Sequence, residues 1–434
     1  MSKPCARLHS FFTKTAANTI KPKFPKVPKT REVPKVPKPT KISEIQIPIF
    51  PKQQPLIALA NNQVINKGVR ELLDERDTQK LVEKFNFLSP NKYFRQKYKI
   101  YDYIIHRLVL ANQISLVEDT LESQKEYING EGFAARIMYL YGKAGLFDHA
   151  RKLFDELPQR GLEQNAKTFN ALLVAAYHCE DFDKVYELFR ELPSKLSIKP
   201  STGCYNVAAQ ALCKLGLIDE AVSLLDKMEH NGVKPCVITY NTLLGVIYEK
   251  GEFDEGEKLW ERMIKSGVVP SVISYDFKLH RLVKDGKISE ARELFMELET
   301  SGIKPNAGSY NALILGACKN DDLDEVRRWY NELLNDGCAP NKATLNTIIP
   351  FLCDKVDYGL VFQVCKRMFR RQCTVDESLL QKVVDALAKN SMMKEAEILV
   401  GLGKSNSYHP YNLVLPPTGI MGYFSSSLVT KFIC

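Results

Sequence analysis

Apolar residues recur in two helical stripes inside a repeating frame. In one frame Tyr240, Leu243, Leu244 and Ile247 form the first stripe and Phe253, Leu259, Trp260 and Met263 the second. This spacing puts each set on one face of an amphipathic helix. Gly145, Gly216, Gly251 and Gly286 mark the turn between stripes in their frames, and the second stripe closes on a glycine followed by proline, as at Gly267 before Pro270. Each frame therefore predicts a helical hairpin.

The frame length is set by Pro200, Pro235, Pro270, Pro305 and Pro340, which stand 35 residues apart. After them come the related segments TGCYNVAAQAL, VITYNTLLGVI, VISYDFKLHRL, AGSYNALILGA and KATLNTIIPFL. Extending the frame both ways gives units starting at 98, 131, 166, 202, 237, 272, 307, 342 and 377, nine in all. The edges are looser: Tyr101 and Asp102 alone anchor the first unit, and the last has Gln381 in place of Asn and fades after Val400. One hairpin cannot bury its apolar stripe alone, so the units must stack into an all-α solenoid. Ala150, Ala221, Gly256 and Ala291 share a place early in the second helix. Their small size is expected to let that backbone approach the neighbouring hairpin. Residues 61–97 carry a helical pattern out of phase with the repeat and are expected to cap its start.

Of the 434 residues 45% are hydrophobic, too many for a wholly disordered chain. No apolar run reaches the length of a membrane span. The first 60 residues carry 12 Lys or Arg against only Glu32 and Glu44, so the formal net charge of +9 belongs to the leader and the rest is close to neutral. An RNA-binding surface in the folded part must therefore concentrate its charge locally. Residues 1–40 read as an organellar transit peptide followed by a Lys/Pro-rich extended linker, since the first 20 residues lack acids and the next 20 interleave lysine with proline. Residues 41–97 read as linker and capping helices, 98–411 as the array and 412–434 as a tail.

At the proline-anchored segments the sequence resembles the pentatricopeptide repeat (PPR) family, whose 35-residue unit has a TYNTLI-type first helix, a K-x-G turn and a G-x-x-P ending. The stretches EGFAARIMYLYGKAGLFDHARKLFDELP and KTFNALLVAAYHCEDFDKVYELFRELP are further similar to short P-type plant mitochondrial members. The resemblance implies a right-handed α-solenoid that assigns one base of single-stranded RNA to each unit through the fifth and last residues. Carried over, these are Asn170 with Ser201, Asn206 with Cys236, Asn241 with Ser271, Asp276 with Asn306, Asn311 with Asn341, and Asn346 with Asp376. By the family's code Asn with Ser suggests cytosine, Asn with Asp uracil and Asn with Asn either pyrimidine; the Asn–Cys and Asp–Asn pairs are poorly determined. The second residue, which in the family wedges a branched apolar side chain against the base, is Ile238 or Ile273 in two units but Lys167, Gly203, Gly308 or Ala343 in others. The competing structural reading makes the asparagines helix-start residues bonding local backbone.

Candidate chemistry is sparse. The run His178–Cys179–Glu180 matches half of a zinc deaminase signature, but the P-C-x-x-C half is absent. The 11 cysteines form no CxxC pair and read as small buried apolar residues. No catalytic, metal or cofactor constellation is expected. Trp260 and Trp329 sit at apolar spacing and are expected to pack, while Lys366–Arg371 and Arg327–Arg328 could meet RNA phosphates or simply face solvent. The reading is a non-enzymatic mitochondrial (alternatively chloroplast) protein binding single-stranded, pyrimidine-rich mRNA or rRNA. Its alternatives are a structural component of the mitochondrial small ribosomal subunit and a protein-binding helical scaffold.

Overall fold

A computed structural model describes residues 54–371, 373–406 and 409–416. The expected transit peptide, the Lys/Pro linker, Cys5, Cys434 and most of the tail lie outside these residues. The chain divides at residue 60, and the unit from Asn61 onward contains the hairpin array. Among the described residues every regular element is helical, and no helix is long and apolar enough to cross a membrane.

Three helices, α1 (Gln54–Asp74), α2 (Thr78–Leu88) and α3 (Lys92–Arg95), precede the hairpins. The hairpins pair α4 (Tyr98–Leu110) with α5 (Ile114–Gln124), α6 (Glu131–Lys143) with α7 (Phe147–Glu156), and α8 (Ala166–His178) with α9 (Phe182–Lys195). Next come α10 (Thr202–Leu215) with α11 (Ile218–His230), α12 (Val237–Lys250) with α13 (Phe253–Lys265), and α14 (Val272–Lys284) with α15 (Ile288–Thr300). The last are α16 (Ala307–Lys319) with α17 (Leu323–Asn335), α18 (Lys342–Asp354) with α19 (Tyr358–Arg370), and α20 (Glu377–Lys389) with α21 (Met393–Lys404). Each first helix packs on the first helix of the next unit, from α4 through to α20. The stack is therefore continuous along the first-helix layer, as expected of a solenoid whose units contact only their neighbours.

Sequence chemistry explains the joints. The tyrosine at the fourth place of a unit is buried, and its hydroxyl ties the far end of the same hairpin: Tyr205 accepts from Asn231 Nδ2 (2.8 Å), Tyr240 meets Ser266 Oγ (2.9 Å), Tyr275 donates to Glu297 (3.0 Å) and Tyr310 to Asp336 (2.6 Å). Ring packing joins successive units, as Phe189 meets Tyr205, Trp260 meets Tyr275 and Phe295 meets Tyr310 edge-on at 5.0–5.2 Å. Trp329 is likewise buried, against Phe295.

Every inter-helix turn places one residue in the left-handed region: Asn112, Gly145, Glu180, Gly216, Gly251, Gly286, Asp321, Val356 and Ser391. Glycine marks four of them, and the other five accept the strain without it. The small residue early in the second helix has a different reason from the one expected. A Cβ on Gly256 would run into the Tyr248 ring of its own hairpin's first helix. The tight approach between hairpins lies in the first-helix layer instead, where a Cβ on Gly142 would meet the backbone of Ala175.

Both ends of the array are covered. Phe85 of α2 and Phe94 of α3 bury their rings against Tyr101 of α4, with centroids 4.8 and 5.9 Å apart. At the other end Tyr411 and Leu413 are buried, and Tyr411 Oη bonds both backbone groups of Val375 (3.2 and 3.1 Å). Gln381, the fifth residue of the last unit, bonds N–H and C=O of Val414 (3.0 and 2.8 Å). The fifth side chain of the last unit thus holds the segment that follows the array.

Candidate nucleic-acid interface

The last residue of each unit becomes the N-cap of the next first helix, so it lies one turn from that helix's third residue. At three junctions the third residue's hydroxyl faces two ways. Thr239 Oγ1 accepts the Cys236 N–H (3.1 Å) and donates to Asn206 Oδ1 (2.7 Å). Ser274 Oγ accepts from Ser271 N–H (2.9 Å) and donates to Asn241 Oδ1 (2.6 Å). Ser309 Oγ accepts from Asn306 N–H (3.2 Å) and donates to Asp276 Oδ1 (2.5 Å). The fifth-residue side chains therefore bond the next unit across 33 residues rather than their own local backbone.

The same three junctions bring the expected pairs together. Asn206 Nδ2 donates to Cys236 Sγ (3.9 Å) and Asn241 Nδ2 to Ser271 Oγ (3.1 Å), while Asn306 Nδ2 donates to Asp276 Oδ2 (2.7 Å). Donor and acceptor match in each pair: an amide at the fifth place meets Cys or Ser, whereas the acceptor-only carboxylate of Asp276 meets an amide. Asp276 is buried, and that desolvation raises its pKa from 3.8 to about 6, against the lowering effect of Ser309 and Asn306. Beneath it burial lowers the pKa of His280, whose Nδ1 lies 2.8 Å from the Asp276 carbonyl oxygen.

The other three pairs do not meet. Ser201 turns toward Cys204 Sγ (3.5 Å), Asn341 accepts from the N–H and hydroxyl of Thr344 (2.9 and 3.1 Å), and Asp376 pairs with Lys342 (2.9 Å). The consequence is visible at the fifth residues: Oδ1 of Asn170, Asn311 and Asn346 has no hydrogen-bond partner. The third residue of the following unit explains each case. It is Cys204 after Asn170, Leu379 after Asn346, and a Thr344 already spent on Asn341 after Asn311.

The rim of the column varies along its length. Asn241 and Asn311 are 5% and 6% exposed, whereas Asn170, Asn206 and Asn346 are half-buried. Gly203 and Gly308, second residues of their units, border Asn170 and Asp276 so closely that a Cβ would stand 2.9 and 2.8 Å from the nearest carboxamide or carboxylate oxygen. The corresponding Ile238 is 53% exposed, the one large apolar surface at this register. Sequence reasoning missed the third-residue hydroxyls, although Thr239, Ser274, Ser309 and Thr344 recur at the repeat interval.

Chemistry elsewhere reduces to packing. His178 stacks edge-on against Tyr139 with centroids 5.2 Å apart, and Cys179 Sγ lies 3.6 Å from the Gly142 carbonyl oxygen. Among the described residues no group of three or more His, Cys, Asp or Glu is placed to hold a metal.

Six segments match models of this repeat. The PPR repeat family model aligns with residues 235–280, 270–316 and 305–354, and the PPR repeat model with 137–162, 167–195 and 203–233. The small ribosomal subunit protein mS78 (rPPR3a) of Arabidopsis thaliana is 43% identical over 187 residues, covering 43% of this chain and 44% of that protein. The small ribosomal subunit protein mS79 (rPPR3b) of the same plant is 43% identical over 162 residues, 37% of this chain and 41% of its own. The matched segments thus span less than half the length of these relatives. The crystal structure of PPR10 in complex with an 18-nt psaJ RNA element aligns at 18% identity and a TM-score of 0.41, covering 74% of this chain and 55% of that one. With a 35-residue frame, the stacked hairpins and six matching segments in register, the chain belongs to the PPR repeat family.

Proposed function

We propose that this chain is a non-catalytic RNA-binding protein of mitochondria that holds a pyrimidine-rich single strand along its first-helix layer. The observation that carries the reading is the column of Asn170, Asn206, Asn241, Asp276, Asn311 and Asn346, one short polar side chain per unit. Single-stranded bases are read on their edges, and an Asn amide offers donors and an acceptor on a short, stiff stem. Where Oδ1 is held by the next unit, as in Asn206 and Asn241, one amide N–H remains to donate to an acceptor on a base edge. At Asn170, Asn311 and Asn346 Oδ1 is itself buried and makes no hydrogen bond, so offering it to a base requires the amide to turn outward. The test is binding of the full-length chain to C/U-rich and purine-rich oligoribonucleotides of equal length at one salt concentration. Preference for C/U-rich RNA that weakens in Asn311→Ala supports the reading; equal affinity for both rejects it.

A second reading makes the chain a structural component of the mitochondrial small ribosomal subunit. It is favoured by the 43% identity to mS78 and mS79 over their matched segments. Co-sedimentation with the small subunit through high-salt washing supports this role, and recovery of transcripts off the ribosome supports the first.

A further inference from the structure

Two basic clusters look alike in sequence, and tertiary pairing separates them. Arg327 is held by Asp324 (3.1 Å) and Asp357 (2.8 Å), and Arg328 by Glu325 (3.1 Å) and Glu332 (3.8 Å). Arg367, Arg370 and Arg371 have no carboxylate within ion-pair distance among the described residues. Spaced i, i+3 and i+4, they share one face at the end of α19 and line a surface cleft of about 330 Å³ together with Leu334 of α17. Arg367 and Arg371 also line the adjoining cavity with Tyr330. The Tyr330 hydroxyl is buried there beside the Arg367 guanidinium.

We propose that this cleft binds phosphate groups of an RNA backbone, a second RNA contact on the second-helix layer and separate from the amide column. The proposal rests on the RNA-binding reading above. Three guanidinium groups repel one another. The C-terminal dipole of α19 offsets only about half a charge, so an unneutralised excess of positive charge remains. Guanidinium forks match phosphate oxygens bidentately, and three in one cleft suit successive phosphodiesters better than a single carboxylate. The array is near neutral as a whole, and this cleft gathers three guanidinium groups without carboxylate partners among the described residues.

The test uses the full-length chain and a labelled RNA hairpin whose loop contains no pyrimidine run, so the amide column is not engaged. Binding is followed by anisotropy between about 50 and 200 mM salt. The triple variant Arg367→Gln, Arg370→Gln, Arg371→Gln is expected to bind about tenfold more weakly or worse and to lower the slope of log K against log salt by about 2 to 3. Arg327→Gln with Arg328→Gln, which removes two paired charges, leaves the slope almost unchanged. The proposal is overturned if the wild-type chain does not bind the hairpin, if triple variant and wild type share one slope, or if the triple variant loses poly-glutamate binding while keeping RNA. Failure of the amide-column reading shows separately, in the comparison of single strands.

Discussion

Asp276 lies where five neighbouring units have Asn170, Asn206, Asn241, Asn311 and Asn346, which makes its junction sensitive to pH. Its folded-state pKa of about 6 exceeds the ordinary 3.8, so the native unit binds more protons than the unfolded chain between those values. Stability supplied by the protonated form is complete below about pH 4 and is lost as pH rises through about 6. The difference in pKa corresponds to about 3 kcal/mol. Asp276→Asn removes this dependence. It also replaces an acceptor facing Asn306 Nδ2 with a second donor, losing one hydrogen bond worth about 0.5–1.5 kcal/mol. Wild type is therefore expected to be the more stable by about 1 kcal/mol near pH 4, and the variant by about 2 kcal/mol near pH 7.5. Buried His280 titrates in both proteins and cancels in the difference. Urea unfolding can be followed by the fluorescence of Trp260 and Trp329, the chain's two tryptophans. Trp260 packs on Tyr275 beside Asp276, and Trp329 on Phe295 of the same unit's second helix. Parallel pH curves for the two proteins, or a wild type that gains stability as pH rises from 4 to 7.5, would refute the reasoning.

Four further outcomes follow from the junctions, the turns and the first-helix layer. Val356 is β-branched at φ 60° and 63% exposed, so Val356→Gly relieves left-handed strain without losing packing and should raise stability by about 1 kcal/mol, read as a higher melting temperature. Ser274→Ala strands the buried Asn241 Oδ1 and should cost about 1–3 kcal/mol in urea unfolding. By the same logic Cys204→Ser supplies the donor that Asn170 Oδ1 lacks and should gain about 0.5–1.5 kcal/mol; a loss would show that the hydroxyl ladder is not the organising contact. Gly142→Ala forces α6 and α8 apart at their closest approach, and a cost of about 1–3 kcal/mol is expected in the same assay.

Much of the fold was legible because its determinants are local. The double apolar stripe, the turn glycines and the regular prolines specify hairpins without reference to distant residues. Of the five inter-helix turns lacking glycine, Asn112 and Asp321 are residue types that favour the left-handed region, but Glu180, Val356 and Ser391 carry no such signal. Stacking imposes that conformation on them. The polar column was legible as a register of Asn and Asp, but its hydrogen bonding was not. Whether Asn241 and Asn311 have a partner depends on which way a hydroxyl turns 33 residues later: Ser274 reaches back to Asn241, whereas Thr344 turns to its own N-cap.

The sequence by itself determined the repeat, the helical class and the side chain that each unit presents at its fifth place, because periodic burial is encoded within a few turns of chain. Only the tertiary structure decided which of those side chains are occupied by the next unit, that Gln381 holds Val414, and that Arg367, Arg370 and Arg371, unlike Arg327 and Arg328, lack carboxylate partners among the described residues. Those outcomes depend on how adjoining hairpins face one another. Hydrogen bonds and ion pairs act over a few ångströms in space, so residues 30 or more positions apart meet or miss according to the stacking geometry.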